Sequence, residues 1–195
     1  MALTVPVLGG CSGGSGGTPV HATVLPEPLP LPEFSLTDQE GRAFTRQNFR
    51  HRTSLLFFGF THCPDICPAT LQLLVSARQQ IAERQGGQAG ALPDIVLVSV
   101  DPERDTPEQL RRYVGYFGEE KGISAATGSM EEVKKLTGAL GIFFEKVPAG
   151  GDDYSVSHST AVLVVGPDAE LTALFSSPHK IDSIAHDVPL LMASR

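Results

Sequence analysis

The run Ser54-Leu-Leu-Phe-Phe-Gly-Phe60, followed at once by Thr61-His-Cys-Pro-Asp-Ile-Cys-Pro68, limits what this chain can fold into more than any other stretch. Seven uncharged, nearly all apolar residues read as a strand buried on both faces. A segment of helical period follows from Ala69 to about Arg84. Two cysteines, spaced i and i+4, therefore sit where a central strand turns into a helix. Residues four apart share one helix face, so both sulfurs can point out of the same sheet edge. The N-terminus of a helix adds positive potential and free N–H groups, which lower a thiol's pKa. The expectation is a reactive pair and not a buried one.

Composition narrows the choice further. Lys and Arg total 15 against 22 Asp and Glu, a net charge of −7, which argues against nucleic acid or an anionic membrane surface as partner. With 195 residues the chain is long enough for one domain with a sizeable core. Three cysteines are too few for a disulfide-stapled framework. No apolar run approaches the roughly 20 residues that span a bilayer.

Residues 1–33 read as a tether. Leu8-Gly9-Gly10-Cys11 resembles a bacterial lipobox, whose cysteine is lipidated, although no Lys or Arg precedes Arg42. Ser-Gly-Gly-Ser-Gly-Gly follows as a flexible linker, and Thr18 to Pro32 is Pro-rich. Folded structure is expected only from about Glu33, over residues 34–195.

Phe34–Asp38 and Arg42–Thr45 alternate around a Gln39-Glu40-Gly41 turn, a small hairpin, and Gln47–Phe49 reads as a helical turn. Gln85 to Gly90 reads as a surface loop. Asp94–Val100 is a second buried strand, ending in Asp101-Pro-Glu-Arg-Asp105. Thr106-Pro107-Glu108-Gln109 and Ser129-Met-Glu-Glu132 each open a helix, to about Phe117 and Leu140. Ile142–Val147 reads as a short strand and Pro148 to Asp153 as a loop. Thr160–Val165 and Leu171–Phe175 form an antiparallel hairpin, and Ile181–Ala193 a closing helix. This order describes an α/β, three-layer sandwich. A cysteine pair at its first βα junction is the thioredoxin-like arrangement, here with an N-terminal β-hairpin and an inserted helix. Ligands of such sheets bind beyond the carboxyl ends of the strands.

The Cys-x3-Cys spacing allows either of two chemistries. The thiols can close a disulfide if their Cα atoms come within about 7 Å, or they can grip a soft metal such as Cu(I) or zinc. Two sulfurs leave a metal under-coordinated. Among six histidines, His62 and His158 are the candidates for a third ligand. His62 adjoins Cys63, and immediate neighbours usually point apart, so at best it supports the ligands from behind. His158 lies in the polar segment Tyr154–Thr160, where a loop histidine is ordinarily solvated or locally hydrogen-bonded, and spacing alone leaves both roles open. Asp101, Glu103 and Asp105 read as surface turn residues sooner than as acids supporting the site. Phe57, Phe58 and Phe60 read as core, with Gly59 allowing close approach.

Three blocks in order, Phe58-Gly-Phe-Thr-His-Cys-Pro-Asp-Ile-Cys-Pro68, Val98-Ser-Val-Asp-Pro-Glu-Arg-Asp-Thr106 and Tyr154-Ser-Val-Ser-His158, resemble the Sco/SenC family. The similarity runs from about Phe34 to the C-terminus. It implies that Cys63, Cys67 and His158 bind one copper ion, Cu(I) or Cu(II). It further implies service to the dinuclear copper centre of cytochrome c oxidase, by copper delivery to the receiving subunit, by reduction of target cysteines, or both. Other periplasmic copper chaperones or thiol reductases are implied partners. A lipid anchor at Cys11 would place the domain on the periplasmic face of a bacterial membrane. Ser157 stands where the family commonly has Asp, and Gly166–Glu170 lacks the usual Asp-x-x-Gly turn. Two functions remain in view: a copper metallochaperone, and a thiol–disulfide oxidoreductase whose catalytic residues are Cys63 and Cys67. Because peroxidases share the fold, a peroxide-scavenging or redox-sensing role is a third.

Overall fold

The computed structural model describes residues 17–85, 92–118, 122–150 and 153–193. The expectations placed on Cys11, on most of the loop at 85–90 and on Gly151 and Asp152 lie outside these residues. The described elements are, in chain order, β1 (Thr23–Pro30), β2 (Ser35–Asp38), β3 (Ala43–Thr45), a 3-10 turn (Arg46–Phe49), β4 (Ser54–Gly59), α1 (Ile66–Arg84), β5 (Asp94–Ser99), α2 (Pro107–Gly115), β6 (Ile123–Thr127), α3 (Met130–Ala139), β7 (Phe144–Gly150), β8 (Asp153–His158), β9 (Val162–Val165), β10 (Glu170–Phe175) and α4 (Ile181–Ala193).

Eight strands form one mixed sheet in the order β1-β10-β9-β4-β5-β6-β2-β3. The apolar run predicted as a central strand is central: every residue of β4 is buried, with β5 parallel on one side and β9 antiparallel on the other. Phe57, Phe58 and Phe60 belong to the core, as expected. Gly59 stands opposite Ser99, and the Val100 N–H donates to the Gly59 carbonyl at 2.9 Å. The loops leaving β4 and β5 are thereby set side by side at the carboxyl edge of the sheet. α1 and α4 pack on each other, while α2 lies against β6 and α3 against β2. Thr106 and Ser129 cap α2 and α3 through their side chains, as their spacing predicts.

The structure departs from the sequence expectation in four places. Strand β1 lies inside the segment read as tether. It pairs antiparallel with β10 at the sheet edge, where proline's missing N–H faces no partner strand. Its start is pinned by Asp187 of α4, whose buried carboxylate accepts N–H groups from Val20, His21 and Ala22. Strand β6 falls between the two capped helices. Helix α1 begins at Ile66, three residues early, because Pro68 is tolerated in a first turn whose N–H groups need no helical acceptor. The segment from Pro148 through His158 is no open loop: β7 and β8 form a two-stranded antiparallel ribbon outside the main sheet.

Candidate metal centre

Cys63 lies in the turn after β4, where its N–H donates to the Phe60 carbonyl at 3.3 Å. Cys67 follows in the first turn of α1. The Cys67 N–H, which has no helical acceptor, donates to Cys63 Sγ at 3.4 Å. The helix N-terminus is therefore spent on the first sulfur. Cys63 is half-buried, whereas Cys67 is fully buried, contrary to the expectation that both thiols are open. Burial pushes the Cys67 thiol well above its ordinary value; a backbone hydrogen bond at Phe60 opposes this, while the Cys63 sulfur and the Asp105 carboxylate add to it. The reason for the depth is Gly59: a Cβ there would stand 2.9 Å from Cys67 Sγ. The second sulfur rests on bare backbone.

His158 is the last residue of β8, and its ring reaches both sulfurs. Its Nε2 lies 3.4 Å from Cys67 Sγ, and the ligand atoms of Cys63, Cys67 and His158 all lie within 4.8 Å of one another. Phe57 and Phe60 flank the imidazole edge-on, with ring centroids at 6.0 and 5.8 Å. The ring's Nδ1 is 2.8 Å from the Ser159 carbonyl, which can only accept, so Nδ1 carries the hydrogen. In the neutral ring, Nε2 is then left with its lone pair facing the thiols. Burial holds the His158 pKa below the ordinary imidazole value, although the bond to Ser159 opposes it. Two sulfurs and one neutral imidazole nitrogen form a donor set suited to a soft metal ion, copper foremost.

The other candidates divide differently. His62 is exposed, with Nδ1 3.1 Å from Thr61 Oγ1 and 3.8 Å from Asp105, and takes no part in the cluster. Ser157 is exposed and alternates with His158 to the opposite face of β8. The Ser159 carbonyl orients the imidazole instead. Asp101 and Asp105, read as surface turn acids, are fully buried and hydrogen-bonded at the edge of the site. Their place directly after a buried strand, at the edge where ligands bind, was the signal available in the sequence. Arg104, inside the same run, shares that signal; Tyr154, which also bonds to Asp101, carried none.

A second cluster, His21, His186 and Asp187, has the spacing of a metal site. Its carboxylate is already saturated by three backbone N–H groups and by His186 Nδ1 at 2.7 Å. Fastening β1 to α4 accounts for it in full.

A thioredoxin-like sheet with a two-thiol, one-imidazole site at its carboxyl edge defines a class of small metal- or thiol-handling domains. The SCO1/SenC family model matches residues 26–193, and the chain belongs to that family. A Stutzerimonas stutzeri protein described as copper-binding is 37% identical over 172 residues, 88% of this chain and 81% of that one. The mitochondrial SCO1 homolog 1 of Arabidopsis thaliana is 36% identical over 155 residues, 80% of this chain but only 45% of the relative. Among solved structures, copper-bound ScoI of Arabidopsis thaliana matches with TM-score 0.74 and 34% identity, over 81% of this chain and 94% of that one. A SCO1/SenC family lipoprotein of Bacillus anthracis matches with TM-score 0.68 and 25% identity, over 85% and 97%.

Proposed function

We propose that this chain is a copper metallochaperone that holds one copper ion through Cys63 Sγ, Cys67 Sγ and His158 Nε2. In this reading it delivers the ion to the dinuclear copper centre of cytochrome c oxidase. The observation that carries the reading is the orientation of His158: its Nδ1–H is committed to the Ser159 carbonyl, and its Nε2 lone pair faces a thiol 3.4 Å away. The ring thereby presents its one acceptor to the two sulfurs. Three ligands leave a side open, so an incoming thiolate can displace them one at a time. The half-buried Cys63 is the ligand an acceptor reaches first. Copper-bound ScoI of Arabidopsis supports the identity of the ion.

The domain works, on this account, at the periplasmic face of a bacterial membrane, held by a lipid on Cys11. The lipoprotein among its structural relatives supports that placement, and among the described residues no helix is long and apolar enough to cross a membrane. The membrane is touched only through the anchor.

A second reading rests on the unequal burial of the two thiols. An accessible Cys63 beside a buried Cys67 is the pattern of an attacking and a resolving cysteine. In that role the apo-protein reduces the disulfide of an oxidase subunit or another periplasmic protein and is left with a Cys63–Cys67 disulfide. One experiment separates the two. The loaded protein is mixed anaerobically with the reduced copper domain of an oxidase subunit, and the copper-free protein with the oxidised domain. Transfer of copper in the first mixture supports delivery; disulfide reduction without transfer supports the second reading and overturns the first.

A further inference from the structure

The ribbon that carries His158 has no place in the main sheet. A two-stranded ribbon is marginally stable by itself, so something outside it must fix where His158 stands. Tyr154, Val156 and His158 alternate to one face of β8, the face turned to the domain, where Val156 is buried. Four residues before His158, Tyr154 meets the loop that leaves β5. Its hydroxyl donates to Asp101 Oδ1 at 2.7 Å, and its carbonyl accepts from Arg104 Nη1 at 3.1 Å. The Arg104 guanidinium lies 3.8 Å from the centre of the Tyr154 ring, and its Nε pairs with Asp101 Oδ2. Lys146, opposite Val156 on β7, pairs with Glu103 at 2.6 Å and adds a second, exposed tie.

The same short loop holds the cysteine arm. Asp105 Oδ2 accepts from the Thr61 N–H at 3.0 Å and from Ser99 Oγ at 2.6 Å, while Oδ1 accepts from Thr61 Oγ1 at 2.6 Å. Thr61 is two residues before Cys63. Asp101 and Asp105 are fully buried, so these bonds act in a medium where losing a partner is costly.

We infer that the Asp101–Asp105 loop is the jig of the metal centre, with Arg104, Asp101 and Tyr154 as positioning residues that lock His158 against a cysteine turn fixed by Asp105. None of them touches the ion. They act by holding two otherwise independent arms at one spacing, so that the imidazole need not be ordered when copper arrives. The inference rests on the copper reading for its consequence, though not for its geometry.

A double-mutant cycle tests it. Arg104→Gln and the milder Tyr154→Phe are made alone and together with His158→Ala, and copper affinity is measured by competition with a chelator. Losing an orienting partner of a metal ligand costs about 10- to 100-fold in affinity, which is the loss expected for Arg104→Gln; Tyr154→Phe should lose roughly fivefold. With His158 already removed, either change should alter affinity by no more than about twofold. Equal losses in both backgrounds, or none in the parent, would overturn the inference. Hydrogen exchange of the copper-free variants is the second readout, with faster exchange expected in β8 and unchanged rates in β4 and β5. Uniform acceleration would mean a general structural role and reject positioning. If the unmodified chain bound no copper through His158 yet β8 alone loosened in the variants, the copper reading would fall and the positioning of His158 by Arg104, Asp101 and Tyr154 would stand.

Discussion

Nε2 of His158 stands 3.4 Å from Sγ of Cys67, although 91 residues of chain separate them. Cys67, in the first turn of α1, packs its sulfur against Gly59 of the sheet, and His158 is brought over by a ribbon that belongs to no sheet of the main fold. Function here depends on two arms meeting, and each arm has its own point of failure.

The first lies under the sulfur. In Gly59→Ala the new methyl would sit 2.9 Å from both Cys67 Sγ and Phe57 Cε1 and 3.3 Å from Leu97 Cδ1, with rigid core on every side. Overpacking of this kind costs about 1–3 kcal/mol. Urea denaturation should register that loss, and copper affinity should fall because Cys67 has been displaced. An unchanged midpoint and affinity would show that the sulfur has room.

The two thiols should differ in reactivity. Cys63 is half-buried and Cys67 fully buried, with its thiol held protonated by burial. A small alkylating reagent applied to the copper-free protein at neutral pH should label Cys63 and leave Cys67 protected until the protein unfolds. Peptide mapping reads the order of labelling. Equal rates at both positions would contradict the unequal burial of the two thiols.

Acid should loosen the copper-free site through His158. Its folded pKa lies below the ordinary value of about 6.5, so between the two the unfolded chain binds more protons than the native one. Stability is therefore full above that value and falls as the pH drops below it toward the folded pKa. Denaturant midpoints measured from pH 7 to pH 5 should decline, and His158→Ala should flatten the decline.

Asp187 controls the edge of the sheet and titrates lower. Burial would raise its pKa, but His186 and the N–H groups of Ala22, His21 and Val20 hold it below the ordinary carboxylate value. Its contribution is present above about 3.9 and lost as the pH falls through the folded value. Asp187→Asn should release β1 at neutral pH, with faster hydrogen exchange from Val20 to Val24 and little change in β4.

What the sequence revealed follows from where its signals are strong. The β4 run, the capped starts of α2 and α3 and the β9–β10 hairpin were legible because burial, capping and turn chemistry are local. Strand β1 was not, since three prolines read as a tether and the carboxylate that pins it lies more than 160 residues away. Strand β8 was not, because Tyr-Ser-Val-Ser-His is a polar alternation that a loop would also tolerate. In the site, the cysteines announced themselves by spacing at a strand–helix junction. His158 depended on family resemblance, because no local rule says which distant histidine folds back. The depth of Cys67 escaped notice because it follows from what Gly59 lacks, and the burial of Asp101 and Asp105 because acidic residues beside proline ordinarily mark an exposed turn.

The most direct test is X-ray absorption on the one-to-one copper complex of the reduced domain, compared with His158→Ala. The account predicts two sulfur ligands and one imidazole in the parent, and loss of the imidazole signal with both sulfurs kept in the variant. Identical spectra from the two proteins would contradict it, since the ring beside Cys67 would then hold no metal.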